Sequence, residues 1–536
     1  MADTGLHFGD CEIDLATSEL RVASKPRAIE PKAFDLLAYL VQHRDRVVSK
    51  NELQDAIWPG MVVTETSLTR TVMKARKAVG DDAHAQRVIK TVPRRGYRFV
   101  ADLAEQRRDP FSAEPPGLGP VQFVRSGDVH IAWRTLGEGP VDILFVPGFV
   151  SHLDIRYRIA PVARFDARLS EMGRLIVFDK RGVGLSDRIG YPPTLEHTVD
   201  DMGAVLDAAG AERAVLLGVS ESGPATALFA ATYPQRTRAI IMYGTFAKGL
   251  RSEDYPWAAS RKSYDAWLDS LISEWGGPAS VEYFAPSMAD NPEFRDGWAR
   301  YLRAAATPGS IRDVLEVLRD IDVRDVLPAV KAPTLVIHRK GDRMMRYEAG
   351  EDMAARIPGA QFRLLEGDDH WWWIGDSDAV LREIRIFLEA LEPVTDSEAV
   401  LATLLALDLA NGDDAFRQSV CETIEHQRGR LVTSDGGQLL AVFDGPSRAL
   451  RCARTIRDRG IANNVGVRAG LHASEVVLGQ HEVTGPAVRV AGELMRRAEP
   501  GQVLATGTLR DLVAGSGMQL EPCEVTGFAG ECCCLD

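Results

Sequence analysis

The sequence predicts a multidomain protein of mixed α/β and α+β class: a small helical domain closed by a basic hairpin, a central α/β domain, and a C-terminal α+β domain. Three observations carry this. At 536 residues the chain is too long for one core. The stretch from Glu105 to Pro120 is rich in Pro and Gly and has no hydrophobic period, which marks a boundary. Beyond it strands and helices alternate, the pattern of a mostly parallel sheet. The expected divisions are 1–103, a linker at 104–119, 120–393 with inserted helices at about 248–330, and 397–536.

No stretch approaches the roughly 18 consecutive apolar residues of a membrane span. The start, Met-Ala-Asp-Thr-Gly, has neither the basic residues nor the apolar core of a signal peptide, so a cytoplasmic location is expected. The seven cysteines leave residues 12–420 without one, which excludes a disulfide framework there. Cys532, Cys533 and Cys534 read as free thiols. Net charge is −13, against general coating of nucleic acid. Residues 66–98, however, hold nine Lys and Arg against Asp81 and Asp82 alone. A basic face on an acidic chain is the footprint of a dedicated DNA-binding module.

In the first domain, Leu6–Asp14 and Glu19–Ala23 read as short strands. Phe34, Leu37, Leu40 and Val41 share one face of a first helix. Ser49 caps a second, Lys50–Trp58, which Pro59-Gly60 ends. A third runs from Thr66 or Ser67 to about Val79. Leu68, Val72, Ala75 and Val79 form its buried stripe, and Arg70, Thr71, Lys74 and Lys77 its open side. Val88–Val100 reads as a hairpin with a basic tip. The motifs Glu30-Pro-Lys-Ala-Phe-Asp-Leu-Leu, Val48-Ser-Lys-Asn-Glu-Leu, Trp58-Pro and Arg95-Gly-Tyr-Arg-Phe resemble the OmpR/PhoB-type winged helix-turn-helix, in its ToxR/CadC branch. The resemblance implies double-stranded DNA as partner, with the third helix in the major groove. It places Thr66, Thr69, Arg70 and Lys74 at bases or phosphates, Arg76 and Lys77 at phosphates, and Arg94 and Arg95 on the wing.

In the second domain, Val141–Val146, Arg174–Phe178, Ala214–Val219, Thr334–Ile337 and Phe362–Leu365 read as buried strands. Ser220, Asp342 and His370 each follow the end of one. With Asp179-Lys-Arg-Gly-Val-Gly-Leu-Ser-Asp and Asp368-Asp-His, this resembles the α/β-hydrolase fold with a helical cap. The order Ser, Asp, His is the one that fold uses. The chemistry explains the residue types: an imidazole takes the serine proton, and a carboxylate fixes the imidazole tautomer. The backbone N–H groups of Phe149 and Glu221 are the expected oxyanion hole. One departure stands out. The elbow reads Gly218-Val-Ser220-Glu-Ser222, with Gly223 one place beyond the usual second glycine. Ser222 is small enough to keep the fold, and any lost precision falls on catalysis. Tyr255, Trp257, Trp267, Trp275, Trp298 and Trp371–Trp373 are either core or the lining of an apolar pocket.

In the third domain the segments starting at Val400, Gly429, Leu439, Val467 and Gly501 form a β-α-β-β-α-β series. It resembles an eroded class III nucleotide cyclase homology domain, ferredoxin-like in fold. Asp408 matches the first metal aspartate of that family. The second falls on Gly437, two residues from Asp435; the transition-state Asn and Arg fall on Arg489 and Glu493, and the purine-reading Lys on Thr526. No metal and no cofactor is therefore expected, and dimerisation or ligand binding remains as this domain's use. The whole reads as a cytoplasmic one-component transcription regulator, a homodimer that senses a small ester, lactone or other apolar ligand. A serine esterase or lactonase with an attached DNA-binding domain is the alternative, and a nucleotide cyclase a second.

Overall fold

The computed structural model describes residues 5–8, 11–14, 19–22, 25–44, 46–59, 63–101, 103–104, 115, 117–139, 141–391, 399–435, 438–479 and 483–536. Most of the expected linker, Gly60 and Gly437 lie outside them. The chain forms two compact units, Met1–Asp109 and Pro110–Asp536.

The first unit opens with β1 (Gly5–Phe8), β2 (Cys11–Asp14), β3 (Glu19–Val22) and β4 (Lys25–Pro26). Helices α1 (Pro31–Gln42), α2 (Lys50–Ile57) and α3 (Glu65–Ala78) follow. Then come β5 (Ile89–Val92), β6 (Gly96–Phe99) and β7 (Leu103–Ala104). The expected first strand is a hairpin, β1 with β2, in a sheet ordered β4-β3-β2-β1-β7. The α2 cap is as expected: the Ser49 hydroxyl accepts from Glu52 N–H at 3.2 Å. Helix α3 starts a little earlier than expected, because the Thr64 hydroxyl accepts from Ser67 N–H. Leu36, Leu37, Leu40, Leu68, Val72 and Ala75 meet in one core. Arg94, at φ 63°, turns the β5–β6 hairpin.

The second unit holds two eight-stranded sheets. The first contains β8 (Gln122–Ser126), β9 (Val129–Leu136), β10 (Asp142–Val146), β11 (Arg174–Phe178), β12 (Ala214–Val219), β13 (Thr237–Tyr243), β14 (Thr334–Arg339) and β15 (Gln361–Leu365). Its order is β15-β14-β13-β12-β10-β11-β9-β8, parallel from β11 to β15 and antiparallel at β8 and β9. Between these strands run α4 (Leu153–Arg156), α5 (Ala160–Ser170), α6 (Leu195–Ala208) and α7 (Gly223–Thr232). Between β13 and β14 lie α8 (Arg261–Ser273), α9 (Val281–Phe284), α10 (Pro292–Ala305) and α11 (Pro308–Arg319), where inserted helices were expected. Helices α12 (Tyr347–Arg356) and α13 (Ser377–Glu389) complete this part.

The second sheet is ordered β17-β18-β16-β19-β21-β23-β22, with β20 paired to β19. It is built from β16 (Ala399–Ala410), α14 (Asp414–His426), β17 (Arg430–Asp435), β18 (Gln438–Phe443), α15 (Pro446–Ala462) and β19 (Gly466–Leu478). This is the β-α-β-β-α-β series read from the sequence. It continues through β20 (Val483–Thr484), α16 (Pro486–Arg497), β21 (Gln502–Thr506), α17 (Gly507–Leu512), β22 (Leu520–Cys523) and β23 (Cys532–Leu535). The two sheets were expected as separate domains. Instead one apolar core runs through both. All ten residues of α7 are buried, because α7 packs on β12 and β13 on one side and on β16 on the other. At the seam, Arg448 pairs with Asp200 at 2.5 Å and with Asp444 at 2.9 Å. Ser447 N–H donates to Glu196 at 2.8 Å, and Tyr233 O–H to Asp444 at 2.7 Å.

Candidate functional site

Strand β12 ends directly in the elbow. Ser220 has φ 55°, a left-handed value that costs a non-glycine residue energy and points its side chain off the sheet. The tight turn also needs room. A Cβ on Gly218 would lie 2.4 Å from the Thr226 hydroxyl, and one on Gly223 would lie 1.8 Å from that of Thr245. The displaced glycine is therefore required where it stands. Ser222 does more than stay small. Its hydroxyl accepts from Val219 N–H at 2.8 Å and lies 2.8 Å from the carbonyls of Val219 and Val146. It thereby ties the elbow to the end of β10, just before Pro147-Gly148-Phe149.

The triad side chains lie within hydrogen-bond reach of one another. His370 Nε2 stands 2.8 Å from Ser220 Oγ, and His370 Nδ1 2.7 Å from Asp342 Oδ2. Asp342 also accepts from the N–H groups of Met344 and Met345, at 2.8 and 3.0 Å. These bonds keep the carboxylate aimed along the imidazole. His338, fully buried on β14, accepts from Thr245 N–H at 3.0 Å, and burial pushes its pKa down to about 4. Asp179, at the end of β11, has its pKa raised by burial. It accepts from Leu153 and Leu185 N–H and fixes the loop that follows.

Two chambers meet at Ser220. One of about 50 Å³ is walled by Phe145, Phe149, Trp298, Tyr301 and Trp371. Arg156 borders it, but its guanidinium is spent on Asp166 at 2.8 Å and on the Phe145 ring at 4.2 Å. The other, of about 460 Å³, lies under the inserted helices and is walled by Phe246, Tyr255, Trp257, Tyr264 and Trp267. Both alternatives for the aromatic residues are thus realised: Trp371–Trp373 are buried and also border the small chamber. Phe149 and Glu221, expected as the backbone donors, border both Ser220 and the larger chamber.

In the first unit, Thr66, Thr69, Arg70, Lys74 and Lys77 lie together on the exposed face of α3. Met73, 59% exposed, sits among them and was not singled out from the sequence, where it reads as one more apolar helix residue. Arg94 and Arg95 are exposed at the hairpin tip. Two assignments need correction. Arg76 is buried, not at the phosphate-facing surface. Its guanidinium donates to Ile89 O at 2.5 and 3.0 Å and to Thr91 at 2.9 Å, and so bolts α3 to the hairpin. Thr71 is also buried and donates to Ser67 O. Behind Arg76, burial works against the charge of Asp81, but the N–H groups of Arg87, Val88 and Ile89 hold its carboxyl below the usual range.

In the second sheet Asp408 faces Gln438 and Arg468 across its neighbouring strands. The Asp435 side chain lies outside what is described. Arg489 is exposed, Glu493 pairs with Arg497 at 2.8 Å, and Arg497 also donates to the Thr526 carbonyl. Among the described residues no group of three or more His, Cys, Asp or Glu is placed to hold a metal ion. No helix among them is long and apolar enough to cross a membrane.

Comparison with known proteins agrees with the first two parts. Residues 24–99 match the family described as transcriptional regulatory protein, C terminal, and residues 143–374 the α/β hydrolase fold. The pimeloyl-[acyl-carrier protein] methyl ester esterase of Stenotrophomonas maltophilia is 28% identical over 263 residues, 48% of this chain and 96% of that protein. The transcriptional activator CadC of Escherichia coli is 32% identical over 118 residues, 21% of this chain and 23% of CadC. A solved esterase from Exiguobacterium antarcticum aligns over 50% of this chain and 99% of its own, at 21% identity and a TM-score of 0.45. The chain thus carries an OmpR/PhoB-type DNA-binding regulatory domain fused to an α/β-hydrolase domain.

Proposed function

We propose that this chain is a transcription regulator that binds DNA through α3 and the β5–β6 hairpin and senses a small ester, lactone or other apolar ligand above Ser220. The observation that carries this is the aligned Ser220–His370–Asp342 triad, opening on a chamber of about 460 Å³ in a chain that also bears a DNA-binding domain. Ligand binding shifts an equilibrium only through different affinities for two states. A route for the shift is α7: it starts at the elbow and rests on β16 of the second sheet. That second sheet, as an eroded cyclase-like domain, acts in this reading by pairing two copies, so that two α3 helices meet two DNA half-sites.

The test is a mobility-shift titration on the DNA upstream of the gene. Arg70→Ala and Lys74→Ala should weaken binding, by about 1–3 kcal/mol wherever the side chain makes a bidentate base contact, and leave the melting temperature in place. Absence of binding at low salt overturns the DNA-binding reading.

A second reading, a serine esterase that turns over, is favoured by the triad distances. There His370 takes the Ser220 proton, Asp342 holds the imidazole tautomer, and the N–H groups of Phe149 and Glu221 stabilise the oxyanion. Steady ester turnover that Ser220→Ala abolishes supports it, and labelling of Ser220 without turnover opposes it.

A further inference from the structure

The side chain after the nucleophile does not belong to the triad, yet it is buried beside it. Glu221 is 4% exposed and its Oε1 accepts from Lys180 Nζ at 3.0 Å. Its other oxygen, Oε2, is buried with no hydrogen-bond partner among the described residues. A buried carboxylate oxygen without a donor is costly, and native structures rarely leave one without a reason. Its position supplies one. A Cβ built on Gly148 would lie 3.3 Å from Glu221 Oε2 and 3.9 Å from Ser220 Cβ. The unpartnered acceptor and the Cβ of the nucleophile thus flank one point in the loop expected to hold the oxyanion. Glu221 also borders the larger chamber. The hydroxyl of Tyr264, across that chamber, is held protonated first by burial and then by the charge of Glu221.

We propose that Glu221 Oε2 is a recognition point for a hydrogen-bond donor that the ligand carries close to its reactive carbonyl, a hydroxyl or an amide N–H. The donor is neutral, for two reasons. Lys180 already compensates the Glu221 charge, so an ammonium group would enter an aromatic chamber unpaired. Arg251 and Arg343 also border this chamber and disfavour a cation, whereas Lys248 and Arg346, at its edge as well, are paired with Asp322 and Glu348. The class of ligand is therefore a hydroxyacyl or acylamino ester or lactone, not a plain alkyl ester. This rests on the reading of the chamber at Ser220 as a ligand site.

The experiment uses the full chain carrying Ser220→Ala, so that nothing is consumed. Binding of methyl decanoate, methyl 3-hydroxydecanoate, methyl 3-oxodecanoate and N-octanoylhomoserine lactone is followed by calorimetry. A ligand that satisfies a buried polar group should be preferred over its analogue by about 10-fold or more. The 3-hydroxy ester or the acylamino lactone should therefore bind about 10-fold tighter than methyl decanoate. Glu221→Gln should close the gap between the 3-hydroxy and the 3-oxo ester. Its amide oxygen must face Lys180, which puts the amide NH₂ where Oε2 was, so the 3-oxo ester, an acceptor only, gains a donor, while the 3-hydroxyl, which also accepts, keeps a partner. A merely structural Glu221 would weaken all ligands alike. Lys180→Met with Glu221→Met removes the pair without stranding a charge and should level the preference. Equal binding of the donor-bearing and donor-free ligands, or a preference that survives both variants, overturns the role of Glu221 alone. No binding by any of the four overturns the ligand-site reading itself.

Discussion

The elbow at Ser220 and the strand at Asp408 both depart from the patterns they resemble, and they depart differently. At the elbow a glycine is displaced by one residue, yet every neighbour compensates. Ser222 bonds the strand end that precedes Phe149, Gly223 fits against Thr245, and the three triad side chains stay within 2.8 Å of their partners. Around Asp408, positions that the resemblance to a cyclase would assign to a nucleotide are used otherwise. Glu493 and the Thr526 carbonyl are both taken by Arg497. A substitution that preserves geometry maintains a site, whereas one that redirects side chains into local ion pairs leaves only a scaffold.

The largest expected effect tests the maintained side. Ser220→Ala should abolish fluorophosphonate labelling and reduce any ester turnover by about 10⁴-fold or more, read by intact mass and by initial rates. Turnover that survives would place the chemistry elsewhere. Next is the compensation itself. Ser222→Ala strands Val219 N–H and removes the tie to Val146, so it should lower stability by about 2 kcal/mol in denaturant titration. Labelling of Ser220 should slow with it. If Ser222→Ala is silent in both, the hydroxyl is incidental and the departure is mere tolerance.

A smaller effect is on pH. Two histidines of the second unit, His338 under the triad and His197 in the first turn of α6, are held at about 4 by burial, against an ordinary 6.5. Their folded-state values are lowered, so on acidification the unfolded chain takes up these protons first. Their stabilising contribution is complete above about pH 6.5 and is lost as pH falls towards 4, at up to about 1.4 kcal/mol per pH unit for each. Melting temperature against pH checks this, and His338→Gln should flatten the slope. The smallest effect is on the redirected side. Asp408→Asn should change nothing in an assay for cyclic nucleotides with Mg²⁺ or Mn²⁺, because the wild type is expected to make none. Cyclic product from the wild type would break the comparison.

Much of this was legible in the sequence because it is local. The Ser49 cap, the stripe Leu68, Val72 and Ala75, and strand ends followed by Ser220, Asp342 and His370 are short-range patterns that the structure keeps. What was illegible is long-range. Arg76 shares the helical turn of exposed Lys77 and is distinguished by its bonds to the Ile89 carbonyl and the Thr91 hydroxyl, thirteen and fifteen residues on. The role of Ser222 depends on Val146, 76 residues earlier. That α7 is apolar on every side was readable, but nothing local says that its second partner is β16. The pairing of Glu221 with Lys180 likewise needs the fold to bring two strand ends together.

In the proposed function, occupancy at Ser220 is felt by the DNA-binding domain. The most direct measurement is the affinity of the full chain for its upstream DNA before and after complete fluorophosphonate labelling of Ser220, at one fixed salt concentration. Coupling between two sites is typically about 5- to 150-fold in affinity. A change of at least about 5-fold is expected, absent when the same reagent is applied to Ser220→Ala. Identical affinities of the fully labelled and unlabelled protein would contradict it.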